Sequence, residues 1–422
     1  MSKKIKVLTL GDHPLSPSGV GSQTKYVMEA LLNTGKFEIV SLGGAIKHRD
    51  YRPVEVEPHG ASWRIIPVDG YGTKEMIRSL LRNEKPDILW IMTDPRFWGW
   101  LWEMENEIRP LCPIVYYHVW DNYPVPMFNR KFYLSNDYVA TISKLTDDIV
   151  AKAAPEVGRK YIPHAVNGEI FRPYSDEDIA KVRESNLPEP DRNKIIFFWN
   201  NRNARRKQSG TLIWWFKEWL DKEKLHDKAQ LIMHTDPKDV HGQDLEHLIH
   251  HLDLVEQRQV LLSTAKVVPQ DLAAMYNMCD CTINISDAEG FGLATLESLS
   301  CGTPIIATMT GGLQIQVIGG GKQFGIPLFP VSKAVIGSQQ VPYIYEDRIS
   351  QEHFMAALSK MFHMTSEARR GWGMDGRQHV LENFNFETFN KSWTDTMLKV
   401  HETHGSWETR KNYNGIVLME VA

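Results

Sequence analysis

Two glutamates around a glycine-rich turn form the pattern in this sequence that most clearly indicates chemistry. Residues 287–312 read DAEGFGLATLESLSCGTPIIATMTGG, where Glu289 precedes and Glu297 follows the start of a predicted helix near Leu293. The N–H groups of a helix N-terminus attract phosphate. Carboxylates beside a phosphate are suited to accept hydrogen bonds from sugar hydroxyls, Glu289 from a transferred sugar and Glu297 from a ribose. Alone, each glutamate is better explained as a helix-terminus or solvated acid; the pair with this turn favours a site.

The turn itself supplies the backbone of the expected site. Gly290 and Gly292 allow conformations and a close ligand approach that a side chain would block. With Phe291 and Leu293 they complete the predicted donor-binding segment.

A basic loop is the second predicted anchor. Residues 200–208, NNRNARRKQ, follow a predicted strand at 194–199. Arg202 and Lys207 could stabilise the negative charge that develops on a leaving diphosphate without a metal ion. The alternative is a solvated basic loop, or a polyanion-binding patch joined by Arg205 and Arg206, which we expect to be solvated.

These stretches resemble the retaining GT-B glycosyltransferases of family 4, the glycosyl transferases group 1. EGFGLATLE matches the acidic E-x7-E signature of that family, and CGTPIIATMTGG is similar to its continuation. The resemblance implies that Glu289 binds the transferred sugar, Glu297 the ribose, and Arg202 with Lys207 the donor diphosphate. It also implies no cofactor and no metal, the nucleotide diphosphate sugar being a substrate.

Several positions depart from the family pattern. Asn201 and Gln208 stand where glycines usually precede the arginine and follow the lysine of the basic loop. Leu313 and Gln314 replace a short Pro-Glu-type segment. We therefore expect a basic loop of different shape and carry over no contacts beyond Gly312.

The first half of the chain contributes a turn and a histidine. Residues 17–21, PSGVG, lie between a predicted strand and helix and resemble the turn that brings the backbone of Gly19 and Gly21 to the donor phosphates. His118 ends a predicted strand, where the family has a histidine at the transferred sugar and acceptor. The resemblance gives it an orienting and polarising role, with the leaving phosphate helping to take the acceptor proton.

Acceptor contacts are expected near this histidine. Asp121 and Asn122 follow it closely in sequence, and Trp98 and Trp102 share a face if their segment is helical. The tryptophans either pack the core or form a platform on which a sugar or base stacks.

Alternating apolar strands and helical segments predict the elements that position these residues. Continuous apolar runs with helices between them indicate parallel sheets covered on both faces. We predict an α/β fold of two doubly wound, Rossmann-like domains with an interdomain cleft. The resemblance implies that this is a GT-B architecture with a C-terminal helix crossing back. The predicted segments are an N-terminal acceptor-side domain (1–172), a linker (173–192), a C-terminal sugar-nucleotide-binding domain (193–385), the crossover helix (386–405) and a loosely held tail (406–422).

The composition is that of a globular protein. Of 422 residues, 42% are hydrophobic and 24% charged, and the formal net charge of −4 argues against wholesale electrostatic coating of nucleic acid or membrane. The four cysteines show no metal-ligand spacing and are expected to be buried thiols. We recognise neither a signal segment nor an apolar run of membrane-spanning length, and expect a cytoplasmic protein.

The sequence therefore predicts a metal-independent, retaining hexosyl- or pentosyltransferase that uses a nucleotide diphosphate sugar. Its acceptor could be a glycan, a protein, a lipid, a small molecule or a modified DNA base, as in phage-type enzymes; net charge does not indicate nucleic acid, and stable membrane insertion is not expected. The alternative is a non-catalytic sugar-nucleotide-binding protein. A third reading is a nucleic-acid-binding protein that uses the basic loop and the tryptophans. The donor base, donor sugar, acceptor and oligomeric state are not specified.

Overall fold

The chain forms two compact units, each built on a parallel β-sheet. The computed structural model describes residues 3–255 and 258–413. Unit 1 comprises Met1–Ala165, Gly337–Tyr343 and Phe386–Ala422, and unit 2 comprises Val166–Ile336 and Ile344–Asn385. The predicted α/β class with two Rossmann-like sheets is confirmed.

The elements up to residue 165 belong to unit 1. In chain order they are β1 (Ile5–Asp12), α1 (Gly19–Leu32), β2 (Phe37–Gly44), β3 (Val54–Val56), β4 (Gly60–Pro67), α2 (Lys74–Glu84), β5 (Ile88–Thr93), α3 (Gly99–Trp102), α4 (Glu105–Ile108), β6 (Ile114–His118), α5 (Arg130–Leu134), β7 (Tyr138–Thr141), α6 (Lys144–Ala153) and β8 (Arg159–Tyr161).

The remaining elements follow in chain order. They are α7 (Asp176–Asn186), β9 (Ile195–Asn200), α8 (Ser209–Glu223), β10 (Ala229–His234), α9 (Leu245–His251), β11 (Val260–Ser263), α10 (Pro269–Met278), β12 (Cys281–Asn284), α11 (Leu293–Ser300), β13 (Ile305–Thr308), α12 (Gln314–Val317), β14 (Ile318–Gly319), β15 (Lys322–Gln323), β16 (Gly325–Leu328), β17 (Ser332–Ile336), β18 (Ile344–Arg348), α13 (Gln351–His363), α14 (Ser366–Asn383) and α15 (Phe386–His404).

Unit 1 has an eight-stranded sheet in the order β3-β4-β2-β1-β5-β6-β7-β8. Every neighbouring pair is parallel except β3 and β4. Every residue of β5 and β6 is buried, as expected for central strands covered by helices on both faces. Helix α15 packs in the same unit, where Trp393 contacts Trp90 and Tyr117 with ring centroids 5.8 and 4.8 Å apart.

Unit 2 has a six-stranded parallel sheet in the order β11-β10-β9-β12-β13-β16. Its core includes Phe197 and Trp199 of β9, which are fully buried beside Trp219 of α8. The chain order reverses between β9 and β12, so the carboxyl ends of these two strands flank a switch point where open α/β sheets bind ligands. The acidic turn and the basic loop both begin at this edge.

The boundaries between the units differ from the predicted ones. Unit 1 gives way to unit 2 after Ala165, and residues 173–192, predicted as a linker, contain α7. Arg183 of α7 bonds Asp280 at 2.8 Å and thereby fastens this helix to unit 2. The sequence also gave no sign of the β17–β18 hairpin, whose connecting residues 337–343 group with unit 1.

The described part of the predicted tail is packed rather than loose. Ser406 donates to Asp87 at 2.6 Å, Trp407 donates to the Pro86 carbonyl at 3.0 Å, and Arg410 bonds the buried Asp137 at 2.7 Å. The correction covers residues 406–413, and the rest of the predicted tail lies outside the described residues. Within the described residues, no helix combines the length and apolarity needed to cross a bilayer.

Candidate active site

The acidic turn leaves β12 and ends in a helix start that lacks a side-chain cap. Gly292 is the N-cap of α11 and has a φ of 91°, in the left-handed region that favours glycine. A Cβ there would lie 2.4 Å from a methyl carbon of Leu313. No N-cap side chain is therefore available to accept hydrogen bonds from the first N–H groups of α11, which leaves these donors suited to an anionic ligand.

Lys207 and Glu289 meet beside this turn. The Lys207 ammonium donates to Glu289, and only 9% of the lysine and 12% of the glutamate side chain are exposed. Asn284 Nδ2 and Ser286 Oγ lie 3.5 and 3.4 Å from the same carboxylate oxygen, Oε2. The structure thus joins two residues that the sequence predicted separately as catalytic.

Glu289 is held ionised despite its burial. Desolvation acts to raise its pKa, but the charges of Lys207 and Arg206 outweigh that effect and leave the pKa below its ordinary value. A carboxylate of this kind accepts hydrogen bonds over the whole neutral range, as binding of sugar hydroxyls requires.

Glu297 has a different environment. Tyr276 donates to it at 3.0 Å, and Asn200 donates to the Tyr276 hydroxyl at 2.9 Å. Burial raises the pKa of Glu297 to about 7, although the Tyr276 hydrogen bond acts to lower it. Sequence reasoning missed this tyrosine, because it precedes the acidic motif and lies on another helix, α10.

The basic loop accommodates a non-glycine residue at the predicted point of departure. Gln208 has a φ of 58°, in the left-handed region where glycine is favoured. Its side chain donates to Asp287 at 2.6 Å and accepts from Thr211 at 2.6 Å. These bonds offset the backbone cost of about 1 kcal/mol. Asn203 fixes the loop further by donating to the Gln243 carbonyl at 2.6 Å.

The arginines of the loop are engaged by partners within unit 2. Arg202 forms a two-point bond with Asp239, at 2.6 and 3.1 Å, while most of its side chain is exposed. Arg205 forms a two-point bond with Glu346, and Arg206 donates to the Ala288 carbonyl at 2.8 Å. Arg205 is exposed, as expected for a solvated residue, but is also paired, whereas Arg206 is only partly exposed and bonds the acidic turn.

In unit 1, the predicted phosphate turn is the first turn of α1. Gly19 begins the helix, and the N–H of Gly21 donates to Ser18 at 3.0 Å. A Cβ on Gly21 would lie 2.4 Å from Ser16 Oγ, so packing alone already calls for glycine. Phosphate contact by Gly19 and Gly21 stays a prediction.

His118 ends β6 and is fully buried between two tyrosines. Its Nδ1 lies 2.7 Å from the Tyr116 hydroxyl and its Nε2 lies 2.9 Å from the Tyr133 hydroxyl. Burial lowers its pKa to about 3, so the imidazole is neutral. Both ring nitrogens are engaged by protein hydroxyls, and contact of His118 with sugar or acceptor stays a prediction.

Trp98 does not present an aromatic face for stacking. It is fully buried, and its ring centroid lies 5.3 Å from that of Trp100 and 5.2 Å from that of Tyr71. Of the two alternatives given for Trp98, its burial supports core packing. Asn122 is buried as well, where it accepts from the backbone N–H of Tyr123 at 2.9 Å, and Asp121 is half-buried.

Polar residues that the sequence interpretation passed over lie at the carboxyl ends of unit 1 strands. Asp12 ends β1 and accepts from Ser18 at 3.0 Å and from Tyr71 at 3.3 Å. Asp94 follows β5 and pairs with Arg96 at 2.8 Å. Burial raises the pKa of both aspartates. Their position directly after predicted strands was the signal that could have identified them.

One cavity of about 590 Å³ lies elsewhere in unit 2. Its walls come from α7, α14 and the residues just before β12 and β13, at the amino ends of these strands. No predicted site residue lines it, so it is not the predicted donor site.

One family model matches a large part of unit 2. Residues 183–327 match the family model described as glycosyl transferases group 1. The matched residues include the basic loop and the acidic turn, and the resemblance of these stretches to glycosyl transferases group 1 is confirmed there.

Curated relatives match the chain in part. D-inositol 3-phosphate glycosyltransferase of Corynebacterium jeikeium is 31% identical over 184 residues, which are 43% of each protein. Alpha-monoglucosyldiacylglycerol synthase of Streptococcus pneumoniae is 26% identical over 42% of this chain and 38% of that one. The chain thus matches less than half the length of these relatives.

Solved structures share the fold along nearly the whole chain. Sucrose-phosphate synthase from Thermosynechococcus elongatus aligns over 95% of this chain and all of its own, with a TM-score of 0.74 and 17% identity. Anabaena HepE in complex with UDP and glucose aligns over 94% of this chain and all of its own, with a TM-score of 0.68 and 15% identity. The fold is that of the GT-B glycosyltransferases.

Proposed function

We propose that this protein is a retaining glycosyltransferase that uses a nucleotide diphosphate sugar as donor. The observation that carries the proposal is the buried Lys207–Glu289 pair beside the uncapped N-terminus of α11. A cation and helix amides suit a diphosphate, and an ionised carboxylate next to them suits the hydroxyls of the attached sugar.

Different residues of unit 2 would bind different parts of the donor. The Lys207 ammonium has three hydrogens, so it can keep Glu289 and also donate to a phosphate oxygen. Glu289 would accept from the transferred sugar, and Glu297 from the ribose. Arg202 would exchange Asp239 for the diphosphate. As the sugar–phosphate bond breaks, these cations and amides stabilise the charge on the leaving group without a metal ion.

The acceptor would be activated from the donor side. In the proposed front-face reaction, the acceptor hydroxyl attacks the face that the phosphate leaves, and the leaving phosphate takes the proton. No enzymic nucleophile is required, which is consistent with the neutral, fully bonded His118. The acceptor class stays open among glycans, proteins, lipids, small molecules and modified DNA bases, and the expected cytoplasmic location remains a prediction.

UDP-linked hexoses are the first donors to test, because HepE is described in complex with UDP and glucose and with UDP-glucose. A thermal-shift screen would compare UDP-, GDP-, ADP- and dTDP-linked sugars. A ligand at 100 times its Kd stabilises a protein by about 2.7 kcal/mol, which such a screen detects. Absence of stabilisation by all four classes would contradict the proposal.

Hydrolysis of the bound donor separates an enzyme from a binding protein. We expect slow release of sugar to water, with the anomeric configuration retained when the product is followed by NMR immediately after mixing. Stabilisation without any sugar release would support the non-catalytic alternative. Release of the inverted anomer would contradict the retaining mechanism.

A further inference from the structure

The β17–β18 hairpin carries charged residues toward the acidic turn. The two strands are antiparallel, with Ala334 opposite Glu346 and Ser332 opposite Arg348. Alternate residues of a strand lie on one face, so Glu346 and Arg348 share a face. Lys333, opposite Asp347, belongs to the other face. No family motif used above includes this hairpin.

Four side chains of alternating charge connect the basic loop to the turn. Arg205 bonds Glu346, with one of the two contacts at 2.9 Å. Arg348 Nη2 lies 2.8 Å from Glu346, and Arg348 Nη1 lies 2.7 Å from Asp287. Only 3% of Glu346 and 4% of Asp287 are exposed. Arg348 is the cation shared by these two buried carboxylates.

Asp287 joins three segments of unit 2. Its backbone N–H donates to the Arg206 carbonyl, and its carbonyl accepts from the N–H of Asp347, both at 2.8 Å. Its side chain accepts from Gln208 at 2.6 Å and pairs with Arg348. Because Glu289 follows two residues later, the position of Asp287 determines where the turn presents Glu289 to Lys207.

We propose that Arg348 is a positioning residue for transfer: it holds Asp287 in place and thereby aligns Glu289 without touching the donor. This inference rests on the proposed function. A buried carboxylate that loses its cation either takes up a proton or moves toward water. Either response alters the turn, whereas the phosphate-binding cations stay in place. The alignment of the sugar is therefore affected more than the affinity for the nucleotide.

Because of the charges around Asp287, the positioning role of Arg348 should be visible in the pH dependence of kcat. Burial raises its pKa to about 6, the Gln208 hydrogen bond and Arg348 act to lower it, Glu346 acts to raise it, and Arg205 acts to lower it. Removal of Arg348 moves ionisation of Asp287 to higher pH. The acid limb of kcat then shifts upward in pH, which a loss of folded protein alone would not produce.

The test compares Arg348→Gln, Arg348→Lys and a control, Lys322→Gln, which removes a charge of β15 whose own side chain and partner, Asp375, are 63% and 41% exposed. The donor is the nucleotide sugar that stabilises the wild type, and kcat and donor KM are measured for its hydrolysis from pH 5 to 9. We expect Arg348→Gln to lower kcat at least tenfold and KM to change less than threefold, with a raised acid limb. Arg348→Lys should recover part of kcat, and the control should match the wild type.

Wild-type kcat and pH profile in Arg348→Gln would overturn the inference, and so would a loss confined to KM. If Arg348→Gln does not fold, Glu346→Gln interrupts the same series of ion pairs. An unchanged kcat in Glu346→Gln would also overturn the inference. Failure of the proposed function would instead be seen in the wild type, as an absence of donor binding and hydrolysis. In that case the inference about Arg348 fails as well.

Discussion

Lys207 and Glu289, 82 positions apart in sequence, form one buried ion pair. Each residue neutralises the other within a site that is expected to receive a charged diphosphate. Substitution of either one leaves an uncompensated charge, so the two variants should have related effects.

Loss of either partner should impair catalysis. We expect Glu289→Ala and Lys207→Ala each to reduce kcat/KM for donor hydrolysis at least about tenfold, which corresponds to about 1.4 kcal/mol of transition-state stabilisation. Lys217→Gln is a matched control, since this lysine lies in α8 and pairs with Asp221 away from the turn. If both variants keep wild-type hydrolysis, the assigned roles are wrong.

Release of Arg202 from its carboxylate should strengthen donor binding. In Asp239→Asn the arginine loses its charged partner, which competes with the diphosphate in the wild type. We expect a lower donor Kd by calorimetry, and a higher Kd for Arg202→Gln. Equal Kd values in the wild type and both variants would show that Arg202 takes no part in donor binding.

Donor affinity should depend on pH through Glu297. Since burial raises its pKa to about 7, the ionised form that best accepts from ribose hydroxyls predominates only above that pH. We expect donor KM to rise as pH falls from 8 to 6. Glu297→Gln should remove this dependence, and a wild-type KM that is flat over the range would contradict the assignment.

Glu297 should also make stability depend on pH, but stability should fall with rising pH whereas donor affinity increases. The native protein keeps a proton on Glu297 between its ordinary pKa of 4.5 and about 7, whereas the unfolded chain loses it. Its contribution to the free energy of unfolding is therefore present below pH 4.5 and is lost as pH rises through 7. Glu297→Gln should show a smaller decline of Tm across this window than the wild type.

We expect His118 to contribute to the stability of the fold rather than to the chemical step. His118→Phe removes the ring nitrogens that bond the Tyr116 and Tyr133 hydroxyls, and a hydrogen bond of this kind contributes about 0.5–1.5 kcal/mol to stability. We expect a lower Tm by calorimetry. Because burial lowers the pKa of His118 to about 3, wild-type activity should show no limb from this residue between pH 5 and 8. A variant with unchanged Tm and abolished transfer would instead support the direct role.

The features of the fold and site that depend on local sequence pattern could be predicted from the sequence. Buried runs such as the one that forms β5 define the two sheets, and the acidic turn follows its strand as expected. Tertiary pairing was not predictable in the same way: Arg202 meets Asp239, and Asp287 meets a hairpin 60 residues later, through contacts that no periodicity encodes. The burial of His118 and Trp98 was not predictable either, because local sequence pattern does not show whether a side chain is covered by residues from other elements.

The packing of α15 and residues 406–413 on unit 1 has a consequence for biosynthesis. The N-terminal strands leave the ribosome first, yet Trp90, Tyr117 and Asp137 complete their contacts only when the residues made last are in place. Unit 2 is contiguous enough to fold while unit 1 still exposes an apolar face. A nascent chain stalled before residue 386 should therefore bind chaperones through its earliest-made sheet.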